Sequence, residues 1–80
     1  MNVDGDSMEP RFHDGNLLYI RELESVEDGE IGLFHYDGAV YVKKLECRNG
    51  KTHLILLNPA YSPIQINENL EFCCLGKVIN

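Results

Sequence analysis

The sequence has no tryptophan, three prolines and only three cysteines in 80 residues. Cys47, Cys73 and Cys74 are odd in number and two are adjacent, which is a poor disulfide framework. They read as free thiols of a reducing compartment, and the expected location is the cytoplasm. No C-x-x-C pair starts a zinc site, and a fourth ligand would have to come from His13, His35 or His53, so no metal and no cofactor is expected. Positive charge is scarce: 7 Lys and Arg stand against 13 Asp and Glu, for a net charge of −6. A nucleic-acid surface wants a basic patch that displaces counterions. Lys43, Lys44, Arg48 and Lys51 lie close in sequence, but the acidic remainder outweighs them. No apolar run is long enough to span a membrane. The N-terminus is acidic and glycine-containing rather than basic and then apolar, unlike a secretory signal. No long stretch keeps a helical period, and there are no repeats and no low-complexity linker.

What is present is β signal with turn punctuation. A chain of this size is one domain at most, burying only about 60% of its unfolded surface, so a partner copy would help it. Leu17-Leu18-Tyr19-Ile20-Arg21 is a short apolar run that reads as a buried strand. Residues 22–30 read as an acidic surface loop around Val26. Ile31–Tyr36 and Ala39–Leu45 flank Asp37-Gly38, a hairpin with a type I′ turn. Asn49-Gly50 then joins the second run to Lys51–Leu57, giving a three-stranded antiparallel meander over 31–57. Asn58-Pro59 through Pro63 breaks the pattern. Ile64-Gln65-Ile66 reads as a short edge strand, and Glu71–Ile79 as a final strand with Gly76 at a bulge or close backbone approach. The fold class is mainly β, a small coiled, barrel-like antiparallel sheet.

One stretch carries unusual chemistry. In Val3-Asp4-Gly5-Asp6-Ser7-Met8-Glu9-Pro10 a serine sits among turn-forming residues that leave its hydroxyl accessible. Pro10-Arg11-Phe12 reads as one helical turn or an irregular loop. Serine is a weak nucleophile without a base. His13, His35 and His53 are the first candidates, with Asp or Glu as orienting partner, but nothing selects one of them. Lysine is the other route, because a desolvated lysine loses its charge and becomes a base. Alternation on 39–45 puts Tyr41, Lys43 and Leu45 on one face and Val40, Val42 and Lys44 on the other. Lys43, flanked by Tyr41 and Leu45, is the better candidate of the two lysines. The pattern alone is equally that of ordinary strand lysines.

Gly5-Asp6-Ser7-Met8-Glu9-Pro10, then Phe12-His13-Asp14-Gly15-Asn16-Leu17-Leu18, then Val40-Tyr41-Val42-Lys43-Lys44-Leu45, resembles the C-terminal peptidase domain of LexA-like and phage CI-like repressors. UmuD and bacterial signal peptidases share the Ser-Lys core of that superfamily. The likeness covers nearly the whole chain, including Leu56-Leu57-Asn58-Pro59 and the closing Leu75–Ile79 strand. It implies a Ser-Lys peptidase domain over residues 1–80 with Ser7 as nucleophile and Lys43 as general base. It implies an oxyanion site made by the backbone N–H groups of Ser7 and Met8, with the Met8 side chain in the core and Asp6 and Pro10 shaping the turn.

In that family the substrate is the protein's own hinge upstream of the domain. An N-terminal helix-turn-helix domain binds operator DNA, the peptidase domain forms a homodimer, and RecA filaments on single-stranded DNA promote cleavage. The resemblance therefore implies that the DNA-binding domain and the cleavage hinge lie outside this chain. No Ala-Gly or Cys-Gly pair occurs in it, so cleavage of this piece in cis is not expected. A dimer through Phe72–Ile79 is what the family implies, and it suits a small domain with an unpaired edge. Two other readings stand beside this one: a dimerisation module that no longer cuts, and a UmuD-like mutagenesis subunit.

Overall fold

The computed structural model describes residues 1–80 as six antiparallel strands and no helix. The strands are β1 (Ile20–Arg21), β2 (Ile31–Tyr36), β3 (Ala39–Arg48), β4 (Lys51–Ile55), β5 (Ile64–Gln65) and β6 (Phe72–Val78). They form one sheet in the order β1-β6-β2-β3-β4-β5. The expected meander is its centre, with β2 on β3 and β3 on β4. Both hairpins close through two residues of positive φ, Asp37 and Gly38 in the first and Asn49 and Gly50 in the second. Those are the conformations a type I′ turn demands, and aspartate, asparagine and glycine tolerate them best.

The final strand has a neighbour on each side. Phe72–Val78 is not the edge of the sheet but lies inside it, between β1 and β2. Its partner β1 is only two residues long and covers Lys77 and Val78, so Phe72–Leu75 keeps one side without a strand. The Gly76 expectation holds in both senses. The register with β2 slips between Leu33 and Phe34, which face Gly76 and Cys74 and leave Leu75 bulged. A methyl group at Gly76 would sit 2.5 Å from the Ile20 side chain and 2.7 Å from the Arg21 carbonyl.

The apolar run 17–21 is not a fully buried strand. Leu18 is buried while Leu17 and Tyr19 are exposed, at 51% and 58%. Only Ile20 and Arg21 join the ladder, because the run lies at the sheet's rim with one side to water. Leu17 makes a single bridge to Asn2. At the other hairpin, β4 stops at Ile55, and Leu56 and Leu57 leave the ladder. The Val26 loop is a loop, as expected.

Nine of the 80 residues are buried, so the core is small and each member matters. One cluster joins Met8, Phe12 and Leu18 from the N-terminal segment to Val78 of β6, with Val42 and Leu57 packed against it. Phe34 stacks on Phe72 at 5.6 Å between centroids, and Tyr36 meets Phe72 edge-on at 6.0 Å. The N-terminal segment is thus fastened to the sheet by Met8, one residue after the serine.

Candidate active site

The turn at residues 5–10 begins with Gly5 at positive φ, and its N–H donates to Asp14 Oδ1 at 2.8 Å. Glu9 N–H returns to the Asp6 carbonyl at 3.2 Å, and Phe12 N–H to the Met8 carbonyl at 3.1 Å, so the segment turns once like a helix and stops. Met8 faces inward and is 2% exposed. Ser7, next to it, stays half-buried with its hydroxyl turned toward β3.

Lys43 arrives from a regular strand. Its neighbour Val42 packs against the Met8 cluster, and alternation turns Lys43 to the opposite face. There Lys43 Nζ lies 2.8 Å from Ser7 Oγ and 5.9 Å from the Tyr41 ring centroid. The lysine is 8% exposed. It has no carboxylate partner, and burial alone lowers its pKa from the ordinary 10.5. The reason is that a desolvated ammonium loses hydration without an ion pair to offset the loss.

None of the three histidines joins the serine. His13 is exposed and lies 2.5 Å from Glu9, and His35 lies 3.0 Å from Glu71. His53 stands on β4 opposite Glu46. The N–H groups of Ser7 and Met8 donate to no acceptor within the protein.

Sequence reasoning did not find the 58–61 turn as part of this site. Asn58 N–H donates to the Ser7 carbonyl at 2.9 Å, and Asn58 Nδ2 to the Asp6 carbonyl at 3.0 Å. Tyr61 Oη donates to Asp6 Oδ1 at 2.5 Å, a contact that pushes the phenol's pKa up because the ionised form would face a carboxylate. Leu56-Leu57-Asn58-Pro59 was part of the family resemblance, but by itself Asn-Pro after an apolar strand marks a turn and not a contact across more than fifty residues.

Beside the serine runs a cleft of about 240 Å³, lined by residues 1–4, Ser7, Met8 and residues 40–43. Its β3 wall has an open edge. β2 pairs with Ala39–Lys44, but β4 pairs with β3 only from Lys44 onward, so residues 39–43 have a strand on one side alone. An extended peptide can add there as a strand.

A hydroxyl held against a buried lysine at the end of an open strand edge is the layout of a serine-peptidase-type β domain. The comparison with protein families agrees. The Peptidase S24-like family model matches residues 1–79, and the chain belongs to that family. It is similar to LexA repressor 2 of Pseudomonas syringae pv. tomato, 35% identical over 77 residues, covering 95% of this chain and 38% of the relative. LexA repressor 2 of Pseudomonas putida is 36% identical over the same shares. The LexA repressor of Bifidobacterium adolescentis is 40% identical over 80 residues, 99% of this chain and 30% of its own. The chain thus spans less than two-fifths of the length of these curated relatives. No helix is long and apolar enough to cross a membrane.

Proposed function

We propose that this domain is a serine endopeptidase with Ser7 as nucleophile and Lys43 as general base, and that it serves a LexA-like repressor by cutting a hinge upstream of itself. The observation that carries the reading is the 2.8 Å separation of Ser7 Oγ and Lys43 Nζ with the lysine buried and unpaired. A neutral amine at that distance accepts the hydroxyl proton as Oγ attacks the scissile carbonyl. The oxygen of the tetrahedral intermediate gains negative charge, and the free N–H groups of Ser7 and Met8 are the donors assigned to it. Protonated Lys43 then gives its proton to the leaving amine. Water attacks the resulting ester with Lys43 again as base, and Ser7 is restored.

The substrate strand is assigned to the open edge of β3 at residues 39–43. Names of the relatives support the repressor context: each is a LexA repressor, and this chain matches one part of it. Operator binding through a separate N-terminal domain and promotion by a RecA filament belong to the same reading. The stretch Phe72–Leu75, open on one side, is the edge assigned to pairing with a second copy. The experiment is incubation of the full-length protein, hinge included, across a pH series with separation of the products by size. Two fragments at alkaline pH, absent in Ser7→Ala and Lys43→Ala, are expected. Dimers that stay uncut at every pH would leave the pairing and remove the peptidase.

A further inference from the structure

Two peptide units carry the N–H groups assigned to the oxyanion, Asp6–Ser7 and Ser7–Met8. Neither is cis. In a trans peptide the carbonyl and the N–H point to opposite sides of one plane, so a donor that fixes the carbonyl also aims the N–H. Asn58 grips both carbonyls. Its backbone N–H holds Ser7 O at 2.9 Å, and its Nδ2 holds Asp6 O at 3.0 Å, a carbonyl that Glu9 N–H also reaches at 3.2 Å. Asn58 is itself fixed, because its Oδ1 accepts Ala60 N–H at 3.0 Å and its carbonyl accepts Tyr61 N–H at 3.1 Å. Tyr61 Oη closes the loop on Asp6 Oδ1. Hydrogen-bonded carbonyls also polarise their amides and strengthen the N–H on the far side.

We propose that Asn58 is a positioning residue for the oxyanion site, holding the two peptide planes whose N–H groups meet the negative oxygen. The proposal rests on the reading of Ser7 as the nucleophile. It predicts a division of labour inside one residue. The side chain of Asn58 governs the Ser7 N–H through Asp6 O, and the backbone of Asn58 governs the Met8 N–H through Ser7 O. Asn58→Asp separates the two, since it keeps the acceptor for Ala60 and the backbone donor but puts a carboxylate oxygen, which repels Asp6 O, in place of the Nδ2 donor.

The test uses diisopropyl fluorophosphate, which needs no knowledge of the scissile sequence. Ser7 Oγ bonds to phosphorus, fluoride leaves, the hydroxyl proton passes to Lys43 and then to water, and the phosphoryl oxygen takes the oxyanion position. Intact mass follows the rate, and amide NMR follows the Ser7 and Met8 N–H groups before and after labelling. On the pH plateau, Asn58→Ala and Asn58→Asp are expected to slow labelling by roughly 10- to 100-fold, below the roughly 100- to 1,000-fold of outright donor loss. Labelling moves both amide signals downfield in the parent chain, whereas in Asn58→Asp it moves Met8 alone. A purely structural asparagine would leave both amide shifts in place once the variant is folded. If Asn58→Ala unfolds, Asn58→Asp carries the test. A plateau rate within twofold of the parent, with both shifts kept, overturns the proposal and leaves the Ser7 reading intact. Equal labelling of Ser7→Ala overturns that reading instead, and the proposal with it.

Discussion

The two halves of the site are built in opposite ways. Lys43 stands on a regular strand, paired with Gly32 across β2, and its direction follows from alternation alone. Ser7 stands on an irregular turn whose shape depends on Asp14, close by in the chain, and on Asn58 and Tyr61, more than fifty residues beyond Asp6. The strand half is rigid because its neighbours are a sheet. The turn half is rigid because its carbonyls and its aspartate are tied from outside. On the proposed reading Lys43 has to stay neutral, and the first kind of support serves that by keeping water away. A serine whose N–H groups must stay free profits from the second, which holds only the other side of each peptide.

On the proposed peptidase reading, the largest effects fall at Ser7 and Lys43. Ser7→Ala and Lys43→Ala should each lower hinge cleavage by more than about 10,000-fold, because members of such a pair act as one unit. Product formation followed over days checks this, and cleavage surviving in either variant refutes the pair. Next in size is the sheet that supports the strand half. Phe34→Ala empties a fully buried position against Phe72 and should cost about 3–5 kcal/mol, measured by urea unfolding. Gly76→Ala forces a methyl into the Ile20 side chain and the Arg21 carbonyl, and should cost roughly 1–3 kcal/mol in the same experiment.

Tyr61→Phe sits at the small end. It removes an exposed hydrogen bond to Asp6 and should change stability by at most about 1 kcal/mol, with any larger loss pointing to a role beyond that contact.

Lys43 adds a pH signature that separates the halves. Its pKa in the folded protein lies below the unfolded 10.5. The folded state therefore binds fewer protons between those two values, and stability rises with pH through that window. Lys43→Met should be more stable than the parent below the window, and the gain should shrink as pH climbs toward 10.5. Ser7→Ala, on the other half, should keep the rise of stability with pH, because burial and not the serine lowers the Lys43 pKa. Thermal unfolding across a pH series reads both.

How far the sequence reveals each half follows from the same contrast. The hairpins were legible because Asp37-Gly38 and Asn49-Gly50 state their turn type in two residues. The face of Lys43 was legible because a strand has period two. The pairing of Ser7 with Lys43 rested on likeness to a family, since 36 residues separate them and no local pattern spans that distance. The place of β6 inside the sheet was not legible, because strand order depends on how loops cross, not on the strand's own residues. The exposure of Tyr19 and Leu17 was misread for a related reason: a five-residue apolar run looks the same at a rim and in a centre. Asn58 was read as a breaker of strand pattern, which it is, and its hold on Asp6 and Ser7 appears only once the chain has returned to the turn.

If burial keeps Lys43 ready to take the Ser7 proton, one titration shows it. The side-chain nitrogen of Lys43 can be followed by NMR in Ser7→Ala, and the labelling rate of Ser7 by diisopropyl fluorophosphate can be followed in the parent chain over the same pH range. A lysine midpoint below 10.5 is expected, with labelling that rises with pH as Lys43 loses its proton. A lysine that titrates at 10.5, or labelling that does not depend on its protonation, would contradict it.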